Sequence, residues 1–320
     1  MLRPTCHIKI GDLSFDWSND VVIDSGWKQF TDTCELKLPG NVKLGNSKEA
    51  KESKHFLLDY ISFGAPVEIQ LSANGDLTTL FQGYVSGIKP NTPIALSCED
   101  EMYQLKRNNI VDSGEAYTLK KMVDTYFSTY TVKHVDAELG TFPIDNLSSV
   151  QMLDELRKNF GLNAFFRNGV LVIGLQYDPE TANTQTFQLE GEIVDDKNLE
   201  YLKADEMKLN VTAVSNNEDG TKTEVQVGDE SGEKRTLNFY NLSKSALEEA
   251  ANREMQKIKY DGWRGNFTAF GVKVVRHGDI VNLLHPEESQ KSGSYYVDHV
   301  KYTFGLNGFR QNITLGPVAL

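Results

Sequence analysis

The 320-residue chain lacks any run approaching the ~18 consecutive apolar positions of a membrane-spanning helix. Its first residues also lack an apolar stretch followed by a small-residue cleavage site, so neither membrane insertion nor a signal peptide is expected. Cysteine is scarce: Cys6, Cys34 and Cys98 are the only three, widely spaced in strand-like segments. Reduced, buried thiols fit that pattern better than a disulfide framework or a zinc site. Positive charge is also in deficit, with 33 Lys and Arg against 45 Asp and Glu and a net charge of -12. A surface that grips nucleic acid through its phosphates is therefore not expected.

Catalytic signatures are missing as well. His7, His55, His134, His277, His285 and His299 show no metal-ligand spacing, and there is no G-x-S-x-G elbow, P-loop or G-x-G-x-x-G. No catalytic residue, metal or cofactor is expected. Acidic neighbours such as Glu99, Asp100 and Glu101 precede Met102, Tyr103 and Leu105, so placement at a helix N-terminus is a simpler reading than a glycosidase pair.

What is present is an ordinary globular composition, 39% hydrophobic and 24% charged, long enough for about two or three domains. Short β-branched and aromatic segments, Cys6–Ile10, Leu13–Trp17, Val21–Trp27 and Cys34–Leu38, read as strands separated by turn residues. A Lys- and Ser-rich stretch from Asn41 to Ser62 reads as a long loop with a short amphipathic helix. Strands resume at Pro66–Leu71, Leu77–Ile88 and Ile94–Cys98, with Asn74-Gly75 suited to a type I′ turn.

The period then changes. Thr118 is placed to cap a helix with Leu119, Met122, Val123, Tyr126 and Phe127 on one face, and Ser148 and Gln151 have capping-box spacing before a helix closed by Gly161. A hairpin about Asn168-Gly169 follows. Strands return with hairpin signals at Asp219-Gly220 and Asn307-Gly308. One helix interrupts them, with a box at Ser245 and Glu248 and a stop at Gly262. Trp263, Phe267 and Phe270, among glycines that permit tight bends, are expected in the core.

A faint internal repeat runs through the strands. Gly64, Val67 and Ile69 match Gly278, Val281 and Leu283, and each set is followed by a second match, Tyr84, Val85 and Ile88 against Tyr296, Val297 and Val300. Two equivalent small β-barrels, one at each end, are the fold this implies.

These residues carry a resemblance. Trp27 with Thr31 to Leu38, Phe63-Gly64 with Val67, Phe81, Gly83, Tyr84 and Val85, and Cys98 to Leu105 mark the first part. Gly262-Trp263, Gly265, Phe270-Gly271 and Gly278-Asp279-Ile280-Val281 mark the last. In combination the chain resembles, over nearly its whole length, the bacteriophage tail baseplate hub family. These are the late-control-D and Mu-like tail proteins, similar to the first part of type VI secretion spike proteins.

The resemblance implies a mainly β fold with an α+β insert: two tail-tube-like barrels joined through a small α+β domain. The expected division is an N-terminal barrel at 1–100, an α+β domain at 101–180 and a C-terminal barrel with one helix at 181–320. It further implies a structural, non-enzymatic homotrimer in a virion tail assembled in the bacterial cytoplasm, seated between a tail tube protein and a separate spike protein. A ring with pseudo-sixfold symmetry would adapt the hexameric tube to the trimeric spike, and excess carboxylate on its inner wall would let DNA pass through the lumen without specific binding. The Asn41–Ser62 loop, with Asn41, Lys43, Lys48, Lys51, Lys54 and Phe56, is the expected contact with a neighbour. A carbohydrate-binding or adhesion module and a tail-associated cell-wall hydrolase are the alternatives.

Overall fold

A computed structural model describes residues 2–42, 55–110, 116–141, 147–217 and 221–319. Thirteen strands form its principal sheet. Seven come from the first hundred residues: β1 (Thr5–Ile10), β2 (Leu13–Phe15), β3 (Asp20–Gly26), β4 (Thr33–Leu38), β5 (Pro66–Ser72), β6 (Thr78–Lys89) and β7 (Ile94–Glu99). Six come from the last part: β8 (Thr184–Gln188), β9 (Ile193–Leu202), β10 (Gly262–Phe270), β11 (Ile280–Leu284), β12 (Gly293–Gly305) and β13 (Gly308–Val318). Period-two alternation explains them. In β4 and β7, Cys34, Leu36, Leu38, Ile94, Leu96 and Cys98 all point into one core. All three cysteines are buried and free, and burial pushes the Cys6 and Cys98 thiols up to about 11 and about 12.

The strand order is β9-β10-β13-β12-β3-β4-β7-β6-β5-β1-β2, with β11 on β12 and β8 on β11. The repeat read from sequence has a counterpart in register. Pro66 lies opposite Tyr84 and Ile280 opposite Tyr296. Gly64 N–H donates to the Val85 carbonyl (2.8 Å) and Val85 N–H returns to Ala65; Gly278 donates to Val297 (2.7 Å) and Val297 returns to Asp279. Both glycines have positive φ, +76° and +87°. One bulge even recurs in place: the register slips between Val85 and Gly87 against β7, and between Val297 and His299 against β13. Hence β3, β4, β5, β6 and β7 correspond to β9, β10, β11, β12 and β13.

The two sets do not form separately closed barrels among the described residues. They are joined edge to edge as one sheet, because β3 of the first pairs with β12 of the second over six residues. The sets also differ at one edge: β1 runs antiparallel to β5, but β8 runs parallel to β11.

Between the sets, α1 (Met102–Leu105), α2 (Leu119–Tyr126) and α3 (Ser149–Phe160) pack on a small sheet of Val132–His134, Ala164–Arg167 and Val170–Ile173. Met122, Phe127, Leu153, Leu156 and Leu171 are among the residues of this second core. A third core lies within the second set. There α4 (Lys244–Ile258) covers the strands Leu209–Asn216, Lys222–Gly228 and Glu233–Tyr240 through Leu247 and Ala251.

Local chemistry accounts for the differences from expectation. Asn74-Gly75 is not a type I′ turn, since of the two only Gly75 has positive φ. The Ser72 hydroxyl instead accepts from the N–H groups of Asn74 (3.0 Å) and Gly75 (2.7 Å) and shapes a longer loop. The last helix is capped by Ser243, whose extended backbone lets its hydroxyl accept from Ala246, so Ser245 lies inside the helix. That helix ends at Ile258, and Gly262 opens β10. Phe267 is buried as expected, but Phe270 is exposed. Residues 57–59 form a short 3₁₀ turn, and the expected Asp219-Gly220 turn lies outside the described residues.

Candidate functional site

The joint between β3 and β12 is the feature on which the architecture turns. His299 lies opposite Gly26, Val300 opposite Ser25 and Lys301 opposite Asp24. His299 Nε2 and Asp24 Oδ1 are 2.7 Å apart. Hydrogen bonds to Asp24 from His299 and Gln29 hold its carboxyl below the usual range against the opposing effect of burial. Gly26 is required there, because a Cβ would stand 2.8 Å from the His299 ring.

Beside the joint, Asp298 gathers three segments. Its buried carboxylate accepts from Trp27 Nε1 (3.0 Å), Lys28 Nζ (2.7 Å) and the Tyr177 hydroxyl. Tyr177, on the segment entering the second set, stacks on Tyr296 (4.5 Å between centroids) and meets Trp27 edge-on. Burial and the Asp298 charge raise the Tyr177 hydroxyl, so it stays a donor.

A cavity of about 380 Å³ lies where the two sets meet the α+β part, with Asp32, Asp100, Glu101, Arg167, Arg276 and His277 in its wall. Asp32 accepts from Ser25 Oγ (2.5 Å) and Gly26 N–H, while Asp100 accepts from the N–H groups of Asp32 (3.1 Å) and Met102 (3.0 Å). Burial raises both carboxyls, and for Asp100 the neighbouring Asp32 charge adds to it. Burial and Arg167 push His277 down to about 3, leaving it neutral. Arg167 donates to the Gln176 carbonyl (2.8 Å), and Gly278 leaves room for its guanidinium, which a Cβ would overlap. The acids thus hold backbone donors in place, and Asp100 does meet the first N–H of α1.

The residues singled out from sequence fall in five places. Trp27 is at the joint, and Gly278 and Asp279 directly follow Arg276 and His277 of the cavity wall, where Asp279 accepts from the N–H groups of Arg276 (2.8 Å) and Asn183 (3.1 Å). Gly64, Val67, Phe81, Gly83, Tyr84, Val85 and Val281 line the matched ladders, where Gly83 permits close approach of the Glu99 backbone. Gly262 and Trp263 sit at the start of β10, with Trp263 Nε1 donating to the Lys291 carbonyl (2.7 Å). In the loop, Asn41 pairs with Phe56, which is exposed. Lys43, Lys48, Lys51 and Lys54 lie outside the described residues. Asp298 and Tyr177 were not singled out, nor was the pairing of Asp32 with Asp100, since polar residues far apart in sequence give no local pattern.

No protein-family model matches the chain, and no curated protein matches it by sequence. Solved structures do. A tail protein from Neisseria meningitidis is similar over 98% of this chain and 96% of its own, with a TM-score of 0.64 at 14% identity. The 43 kDa tail protein of prophage MuSo2 from Shewanella oneidensis is similar over 98% and 97%, with a TM-score of 0.63 at 16% identity. An E. coli type VI secretion component, described as structurally similar to the T4 tail proteins gp27 and gp5, covers 98% of this chain with 77% of its own, at a TM-score of 0.55 and 11% identity. The chain therefore has the mainly β fold of phage tail proteins and related secretion-system components.

Proposed function

We propose that the chain is the baseplate hub of a phage or phage-like contractile tail, a structural and non-enzymatic role. Three copies form a ring with six similar strand sets, which adapts a sixfold tail tube to a threefold spike. The observation that carries this reading is the shared register of the two sets, including the glycine contacts and the bulge. Cyclic assembly closes when equivalent edges meet at a constant angle, and a doubled unit gives twice as many equivalent positions as chains. We place the first set at 1–100, the α+β part at 101–180 and the second set at 181–320.

The partners on this reading are a tail tube protein, a spike protein and DNA that passes without specific binding, no cofactor being needed. Excess carboxylate on the inner wall would repel phosphate and keep DNA from sticking, in keeping with the net charge of -12. The Asn41–Ser62 segment is assigned to contact with a neighbouring chain or tube ring.

The test is the solution mass of the full chain, alone and with its tube and spike proteins. Three copies per particle are expected. A particle that stays monomeric with both partners present overturns the reading. A ring that keeps its mass and tube attachment after residues 43–54 are replaced by a short Gly-Ser link removes the assignment of the loop alone.

A further inference from the structure

The joint between β3 and β12 has a counterpart of which the chain holds both halves apart. β12 gives one edge to β13 and the other first to β11, then, beyond the bulge, to β3. β6 repeats the arrangement as far as it goes, with one edge on β7 and the other on β5, ending at the Gly64 and Ala65 bonds to Val85. Past that point Gly87, Ile88 and Lys89 have no strand on the second edge among the described residues. Likewise β3 lies between β4 and β12, whereas its counterpart β9 pairs with β10 alone and ends the sheet. Seven strand spacings, about 34 Å along the sheet, separate β9 from β6, and the two strands are not paired within one chain among the described residues.

We propose that β9 of one protomer pairs with the Gly87–Lys89 edge of β6 in the next, in the register that β3 and β12 already use. This rests on the ring reading above and gives it an interface. The register follows from the repeat. Gly87 corresponds to His299 through the common bulge. Asn198 opposes Asn266 as Val22 opposes Glu35, and Asn266 and Glu35 oppose Thr314 and Ser97, so Glu200 corresponds to Asp24. Leu202 then faces Gly87, Tyr201 faces Ile88 and Glu200 faces Lys89.

Two features outside the backbone fit the pairing. The first is charge: Lys301 opposes Asp24 at the internal joint, and the exposed Lys89 and Glu200 take those positions in the new one. The second is burial. Val300 and Ile23 at the internal joint are 0% exposed, while their counterparts Ile88 and Leu199 are only half-buried, each already leaning on the main core. A neighbouring edge would finish covering them. Pro90 has no N–H to donate, so the ladder between chains stops after three residues where the internal one has six. The chain-to-chain joint is thus the weaker of the two, and the ring comes apart into intact chains.

The experiment uses the full chain. Lys89→Glu and Glu200→Lys each set like charges face to face and are expected to weaken assembly at least tenfold by sedimentation equilibrium, while the two together restore it. In parallel, Lys89→Cys combined with Glu200→Cys is oxidised and run on a non-reducing gel. Covalent dimers and trimers are expected, and neither single variant should give them. If the wild-type chain is trimeric but the charge reversals leave its mass unchanged and the paired cysteines do not cross-link, this joint is wrong and the hub reading stands. If the wild-type chain stays monomeric with tube and spike proteins present, the ring itself fails and this inference with it.

Discussion

Breaking the Asp298 clamp is the most direct probe of how the two strand sets are held together. Asp298→Asn keeps the side-chain shape but replaces one acceptor oxygen with an amide that faces either Lys28 or the Trp27 and Tyr177 donors. Lys28 is largely exposed, so its share is small after solvent screening. A hydrogen bond to a buried charge is worth about 1.5 to 3 kcal/mol, and a buried donor left unmade costs about 1 to 3 kcal/mol. The substitution should therefore cost about 2 to 4 kcal/mol. Trp27→Phe removes the indole N–H while keeping an aromatic ring against Tyr177, at a cost of about 1 to 3 kcal/mol. Because both variants lose the same 3.0 Å bond, the double variant should fall short of the summed effects by about 1 to 2 kcal/mol. The measurement is urea denaturation of the four full-length proteins followed by far-ultraviolet circular dichroism. Costs that add to within about 0.3 kcal/mol would show that the bond does not tie the sets together, and the account of the clamp would be wrong.

Other expectations follow from the same geometry. Gly64→Ala and Gly278→Ala both place a Cβ on a left-handed residue, at about 1 to 2 kcal/mol, but only the second also collides with Arg167. Gly278→Ala should thus be clearly the more destabilising in thermal melts, and equal costs would refute the role given to Arg167. Gln311, fully buried, donates to the Lys273 (2.6 Å) and Phe270 carbonyls and accepts from Val275 N–H (3.1 Å). Gln311→Leu should cost about 2 to 4 kcal/mol by chemical denaturation, and a neutral result would mean that those groups find other partners. For pH, His277 is held far below 6.5, so the unfolded chain binds a proton that the folded one does not, and stability falls by about 1.4 kcal/mol for each pH unit below 6.5. Asp32 and Asp100, both raised above 3.8, work in the opposite sense: there the folded state binds more protons, and stability falls as pH rises through that range. Asp100→Asn should weaken this compensation and steepen the loss of melting temperature between about pH 7.5 and 5. An unchanged pH profile would refute the opposition.

What the sequence made legible was local. The Ser148–Gln151 capping box forms with both reciprocal bonds, and Asn168 and Gly169 both take the positive φ of a type I′ turn. Each of these depends on neighbours within a few positions. The repeat was legible for a related reason: the glycine that must turn and the valine that receives its N–H recur at nearly the same separation. The edge-to-edge joint was not legible, since it pairs residues 275 positions apart, such as Asp24 and His299, and nothing local encodes which edge meets which. The Asp32–Asp100 pair escaped similarly, with 68 positions between partners. Where local signals misled, a stronger nearby group prevailed, as the Ser72 hydroxyl did over Asn74-Gly75 and Ser243 over Ser245.

On the proposed ring reading a doubled strand set meets a sixfold partner through the strands that the two copies share, and the largest differences between the copies lie in insertions between those strands. β4 and β5 are separated by the Asn41–Ser62 segment, and β9 and β10 by the three-stranded sheet with α4. The second insertion has its own core of Leu209, Val211, Ala213, Leu247 and Ala251, distinct from the core shared by the two sets. It meets the α+β part through Phe160 on Tyr240 and through the Asn216 amide on the Asn159 carbonyl, contacts remote from the β3–β12 joint. In a ring it would appear three times where the strand sets appear six. Replacing residues 206–257 by a Gly-rich turn should therefore leave β9 and β10 paired and the proposed threefold assembly intact, while costing the insertion and its contacts with α3 and β13. The measurement is the solution mass of the shortened chain beside its circular dichroism. A folded chain that no longer assembles would mean that the insertion itself closes the ring, and the strand edges would lose the role assigned to them.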